Sequence, residues 1–125
     1  NYDGSGSRFG DTSVAASAPN PDALSAFAAQ RSSDGALTVM LVAKALSGST
    51  AATVSLANFQ PAGAAQVWQL TSANAISRLS NIAVGGTGVS LTLPAQSVTL
   101  LVIPSGGALP TAPNNLRIVG TVSGQ

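Results

Sequence analysis

The stretch "VSLTLPAQSVTLLVIP" at positions 89–104 limits the fold more than any other feature of the chain. Val89, Leu91 and Leu93 alternate with polar residues at the period of two that places every second side chain on one face of a strand. "PAQS" supplies a turn, and "VTLLVI" returns as a run apolar enough for a buried strand, so a hairpin is expected here. The same pattern recurs upstream. "AATVSLANF" puts Ala52, Val54 and Leu56 on one face, and "AQVWQLTS" puts Trp68 and Leu70 on one side with Val67 on the other. "ALTVMLVAKAL" reads as a well-buried strand following the turn signal "SSDG". "DALSAFAAQR" fits a helical face through Leu24, Phe27 and Ala28, or a strand face through Leu24, Ala26 and Ala28. A hairpin across Ser32–Gly35 favours the strand.

Asn1–Pro21 is turn-rich and weakly patterned, and "ANAISRLSNIAVGGTG" is irregular with a glycine pair marking a loop. Six strand candidates with turns every 8–15 residues and no convincing helix predict an all-β fold. The expected architecture is an antiparallel β-sandwich of roughly six to eight strands with Greek-key-like connections. After Ile103 the chain changes character. "PSGGALPTAPNN" is a Gly/Pro linker, and "LRIVGTVSGQ" reads as the first strand of another module. The expected organisation is a sandwich over 1–104, a linker over 105–115 and the start of a further module over 116–125.

The composition excludes several functions. The chain has 125 residues, enough for one modest core, with only 7% charged residues and a formal net charge of +1. No basic stripe exists to neutralise phosphates, so no nucleic-acid partner is expected, and no apolar run approaches the roughly 18 residues of a membrane span. The acids are Asp3, Asp11, Asp22 and Asp34, and the chain contains no Glu, His or Cys. Ser–His–Asp and Cys–His nucleophilic sites therefore cannot be assembled. Glycosidase chemistry needs two carboxyls about 5–9.5 Å apart, one with a raised pKa. Only Asp3 and Asp11 share a segment, and neither adjoins an apolar pocket. No catalytic residues are expected.

"NYDGSGSRFGD" spaces Asp3, Ser5, Ser7 and Asp11 like the oxygen ligands of a calcium loop. An EF-hand fails, because Arg8 stands where Gly is needed and Val14 where the bidentate Glu belongs. A structural Ca²⁺ on Asp3 and Asp11 is weaker than the reading in which both carboxylates accept backbone hydrogen bonds in successive turns. No other cofactor is expected. For sugar binding the aromatic candidates are Tyr2, Phe9, Phe27, Phe59 and Trp68; Phe27 and Phe59 lie in or beside apolar strand runs and read as core. Tyr2, Phe9, Trp68 and Arg78 are left as candidates for a carbohydrate site or a domain interface.

"NYDGSGSRFGDTSV", "AAQRSSDGALTVMLVAK" and "VWQLTSANAISRLSNIAV…VSLTLPAQSVTLLVIP" together resemble the C-terminal β-sandwich of family 44 glycoside hydrolases, in order, through nearly all of 1–104. "PTAPNNLRIVG" is similar to the first strand of fibronectin type III-like domains. The resemblance implies a secreted bacterial β-1,4-glucanase acting on xyloglucan-like or soluble cellulose substrates. Its (β/α)₈ barrel would carry both catalytic glutamates and would pack against this sandwich as partner. It also implies that the sandwich takes a strand from before the barrel, leaving an unpaired edge without it. Three functions follow as expectations: an ancillary domain supporting the barrel, a carbohydrate-binding module for soluble β-glucan or xyloglucan, and a ligand-free spacer or adhesion module.

Overall fold

The computed structural model describes residues 2–17, 23–56, 61–84 and 88–105, and the backbone of 116–123. Among the described residues ten strands follow in order: β1 (Thr12–Val14), β2 (Ala16–Ser17), β3 (Leu24–Gln30), β4 (Leu37–Ala43), β5 (Ser49–Ser55), β6 (Ala65–Leu70), β7 (Ile76–Ile82), β8 (Gly88–Pro94), β9 (Ser97–Ile103) and β10 (Leu116–Ser123). They form a six-stranded sheet in the order β1-β3-β4-β9-β6-β7 and a four-stranded sheet in the order β2-β10-β5-β8. Every pairing is antiparallel except β2 with β10. Among the described residues there is no helix, and so none long and apolar enough to cross a membrane. The chain is an all-β sandwich, as its alternation predicts.

One core fills the space between the sheets. Leu37, Val39, Leu41, Val54, Leu93, Leu101 and Ile103 are fully buried there. The expected faces hold: Ala52, Val54 and Leu56 of the β5 segment are buried, as is Val67, while Trp68 and Leu70 stand on the opposite side of β6. The β3–β4 hairpin across Ser32–Gly35 also holds, closed by Gly35 N–H to Arg31 O at 2.7 Å and Arg31 N–H to Ala36 O at 2.8 Å. Gly35 sits at φ 75°, a conformation that favours glycine.

Several expectations are corrected. "VSLTLPAQSVTLLVIP" is not a hydrogen-bonded hairpin: β8 pairs with β5 in one sheet, and β9 pairs with β4 and β6 in the other. The reason lies in β9, where Leu100, Leu101, Val102 and Ile103 are buried in succession. A strand apolar on both faces belongs inside a sheet covered on both sides, whereas half-polar β8 suits an edge. The "irregular" segment after β6 contains β7, whose exposed pattern on both faces suits its place as an edge strand of the six-stranded sheet. The weakly patterned N-terminus holds β1 and β2, too short to show a period. Phe27 is 56% exposed rather than buried, because Leu24, Ala26 and Ala28 take the core face of β3 and turn it outward. Phe59 and Asp22 lie outside the described residues.

Over Leu116–Ser123, within the segment read as the first strand of a further module, the backbone lies in the smaller sheet. It runs antiparallel to β5 from Arg117 opposite Ser55 to Ser123 opposite Ser49, and parallel to β2. The open side of β5 presents a row of N–H and C=O groups that an extended segment satisfies.

Candidate functional site

The outward face of the six-stranded sheet carries the site. Backbone register brings one residue from each of five strands into a single cross-strand row: Phe27 opposite Met40, Met40 opposite Leu100, Leu100 opposite Trp68, and Trp68 opposite Arg78. Because side chains alternate along each strand, these five share one face. A second hydrophobic cluster forms here, separate from the main core: Ala36, Leu100 and Val102 are buried, and Tyr2, Phe9, Met40 and Trp68 pack against them.

The opening loop is folded over one end of this face. Asp3 holds the loop's own turn, accepting the Ser5 N–H at 2.8 Å, the Ser7 N–H at 3.2 Å and the Ser7 hydroxyl. Gly10 N–H donates to Thr38 Oγ1 at 2.9 Å, and the chain approaches Ala29 so closely that a Cβ on Gly10 would lie 2.5 Å from that residue's carbonyl. Asp11 accepts from the Ser32 N–H at 3.0 Å and from the Ser32 hydroxyl, tying the loop to the β3–β4 turn. Arg31 does the rest. Its guanidinium binds Asp34 through two contacts of 2.9 and 2.7 Å, and donates through Nη1 to the Tyr2 hydroxyl at 3.0 Å and to the Arg8 carbonyl at 3.1 Å.

Tyr2, fixed in this way, meets Trp68 edge to face with ring centroids 5.3 Å apart and an interplanar angle of 64°. The Arg78 guanidinium lies over the Trp68 ring, 5.4 Å from its centroid, and donates to Leu79 O and Asn81 Oδ1. The structure thus brings together all four candidates, Tyr2, Phe9, Trp68 and Arg78, with Tyr2 linked to Arg31, a residue the sequence reading left aside. Its signal in the sequence was only its place before "SSDG". Phe27 was missed for the same face because a strand-borne Phe was read as core.

The electrostatics follow from these bonds. The Ser7 hydroxyl holds the Asp3 carboxyl below the usual carboxylate range, the Ser32 hydroxyl does so for Asp11, and Arg31 for Asp34; Asp34 in turn raises the Arg31 guanidinium. These carboxylates are ionised anchors, not proton donors at neutral pH. Among the described residues no group of three or more His, Cys, Asp or Glu is placed to hold a metal ion. Asp11 ties distant segments together rather than capping a local turn, which corrects the reading of two successive turns. Two hollows flank the loop. One of about 510 Å³ is lined by Ser7, Arg8, Asp11, Arg31 and Asp34. The other, about 630 Å³, lies beside Phe9, Asp11 and Phe27.

No protein-family model matches the chain, and no curated protein sequence does. Solved structures do. CelM2, a bifunctional glucanase-xylanase from a metagenome library, is 68% identical over 84% of this chain, with a TM-score of 0.82. The family 44 endoglucanase Cel44A of Clostridium thermocellum is 28% identical over 82% of the chain, with a TM-score of 0.66. A family 44 xyloglucanase of Paenibacillus polymyxa shares the fold, at 24% identity over 83% and a TM-score of 0.75. Fold and likeness define a β-sandwich domain of a glycoside hydrolase. The chain covers 20% of the CelM2 chain and 21% of each of the other two. Within that class the likeness to the family 44 endoglucanase and xyloglucanase is consistent with a family 44 domain.

Proposed function

We propose that this chain is a non-catalytic ancillary domain of a secreted bacterial β-1,4-glucanase, supporting a catalytic barrel that the chain does not contain. The observation that carries the reading is the 68% identity to one fifth of a glucanase-xylanase, in a sequence whose only acids are four aspartates. Three of them, Asp3, Asp11 and Asp34, are held ionised by serine or arginine partners, the reverse of the raised pKa that a general acid requires. Trp68 has its ring engaged by Tyr2 and Arg78, which suits a built interface better than a platform for a pyranose.

A carbohydrate-binding module is the second reading, favoured by the exposed ring of Phe27 beside the 630 Å³ hollow. Affinity electrophoresis and calorimetric titration with xyloglucan, barley β-glucan and carboxymethylcellulose separate the two. The ancillary reading expects no retardation, no heat of binding and only background hydrolysis. Binding at micromolar to low-millimolar strength that is lost in Phe27→Ala would establish the second reading instead. Turnover of any of these glucans would refute both.

A further inference from the structure

We propose that the free edge of β8 is a self-recognition site, where a second copy of this chain adds its own β8 in antiparallel register and joins the smaller sheets of the two copies into one. The site is an edge of the domain, independent of any place in a glucanase, so it stands or falls apart from the ancillary reading. A strand at the end of a sheet presents unpaired N–H and C=O groups, and folded chains blunt such edges by brevity, charge or a bulge. The two sheets end in β1, β7, β2 and β8. The first three carry such a device. β1 has three residues and β2 two. β7 carries Arg78, and its register with β6 shifts between Ala65 and Val67, as at a bulge. β8 has none of these. "GVSLTLP" is seven residues long, holds no charged side chain, and pairs with β5 in unbroken register from Gly88 opposite Ser55 to Pro94 opposite Ser49. Among the described residues no strand pairs with its other side.

The sequence of β8 selects the occupant. A two-fold contact requires that where one residue meets a second across the interface, the second also meets the first. With the axis at Leu91, all seven residues pair and the pattern is its own complement: Leu91 meets the partner's Leu91, Val89 the partner's Leu93, Ser90 the partner's Thr92, and Gly88 the partner's Pro94. Val89 and Leu93 are 3% and 0% exposed and Leu91 packs against the same core, whereas Ser90 and Thr92 face solvent. Apolar pairs therefore fall on the core side and hydroxyl pairs on the other, the cross-strand matching that stabilises a sheet. No like charges face each other, and a formal net charge of +1 gives two copies little to repel with. The ladder has a built end. Pro94 has no N–H to offer, and its carbonyl already accepts from the Ser97 hydroxyl at 2.8 Å. One strand from each copy makes a small contact, below about 1,200 Å², so the dimer is weak, with a dissociation constant of about 0.1–1 mM.

The test is sedimentation equilibrium of the 125-residue chain from about 10 µM to about 2 mM, with ¹⁵N amide spectra over the same range. The expected result is monomer at the low end and dimer at the high end, with concentration-dependent shifts confined to amides of 88–94. Ser90→Lys with Thr92→Lys sets like charges opposite each other and should weaken self-association about tenfold or more, and Ser90→Asp with Thr92→Asp should do the same. Mixed in equal amounts, these two variants should pair with each other at least as tightly as the unaltered chain, because each ammonium then faces a carboxylate. Ser77→Lys, on the edge strand of the other sheet, should change nothing. Thermal midpoints should stay within about 3 °C, since all three positions are exposed. Should a variant fail to fold, the location of the shifts in the unaltered chain decides alone. The proposal is overturned by a chain still monomeric at the highest concentration, by dimers that survive the paired lysine variant, or by a mixture that stays monomeric. Shifts at 76–82 in place of 88–94, or species larger than a dimer, would equally overturn it.

Discussion

Thr50 and Thr38 are both fully buried, and the same isosteric change to valine should move stability in opposite directions at the two sites. Thr50 lies on the core face of β5 opposite Leu93, and its Oγ1 has no hydrogen-bond partner among the described residues. A buried polar group left unsatisfied costs about 1–3 kcal/mol, and replacing the hydroxyl with a methyl adds about 0.8 kcal/mol of apolar burial. Thr50→Val should therefore stabilise the chain by about 2–4 kcal/mol, a rise of roughly 8–15 °C in thermal midpoint for a domain of this size. Thr38 is the reverse case. Its Oγ1 donates to Ala29 O at 2.7 Å and accepts from Gly10 N–H at 2.9 Å. Thr38→Val removes both bonds and strands the Gly10 donor under the loop, a loss of about 1–3 kcal/mol. Urea unfolding followed by the fluorescence of Trp68, the single tryptophan, measures both variants. An unchanged m-value certifies that the midpoint shift reports stability. If Thr50→Val destabilises, or if both variants shift the same way, hydrogen-bond satisfaction does not decide the energetics of these positions.

Three further outcomes are expected. Gly10→Ala places a Cβ 2.5 Å from the Ala29 carbonyl and should cost about 1–3 kcal/mol, read in the same urea experiment, because backbone cannot yield as a flexible side chain would. Acid should release the opening loop. Asp3, Asp11 and Asp34 titrate lower folded than unfolded, so their contribution is complete above the unfolded value near 3.9 and is lost as pH falls through the lower folded values. Trp68 fluorescence between pH 5 and pH 2 follows that release, and Asp11→Asn should reduce its amplitude; a flat response would contradict the tie. Ending the chain at Ser105 removes β10 and exposes the side of β5 it pairs with, so dimers or larger species should appear on size-exclusion chromatography. A truncated chain that stays monomeric with unchanged stability would return residues 116–123 to a following module.

The sequence by itself determined the class of fold and most of the chemistry excluded. Period-two alternation in the segments of β5, β6 and β8 leaves a strand as the only way to bury one face, and the absence of Glu, His and Cys removes whole reaction types wherever the residues fall. The tertiary structure decided which strand meets which. "PAQS" turns the chain equally well within a sheet or between sheets, and the choice follows from the burial of both faces of β9, which depends on neighbours far along the chain. It also decided the candidate site. Phe27, Met40, Leu100, Trp68 and Arg78 are scattered between positions 27 and 100 and become one row only through the registers of four strand pairs. Arg31 reaches Tyr2 across 29 positions for the same reason: β1 pairing with β3 draws the opening loop onto the turn that Arg31 begins. Alternation is local and can be read from a few residues. Register is a property of pairs of strands, and no single stretch of the chain contains it.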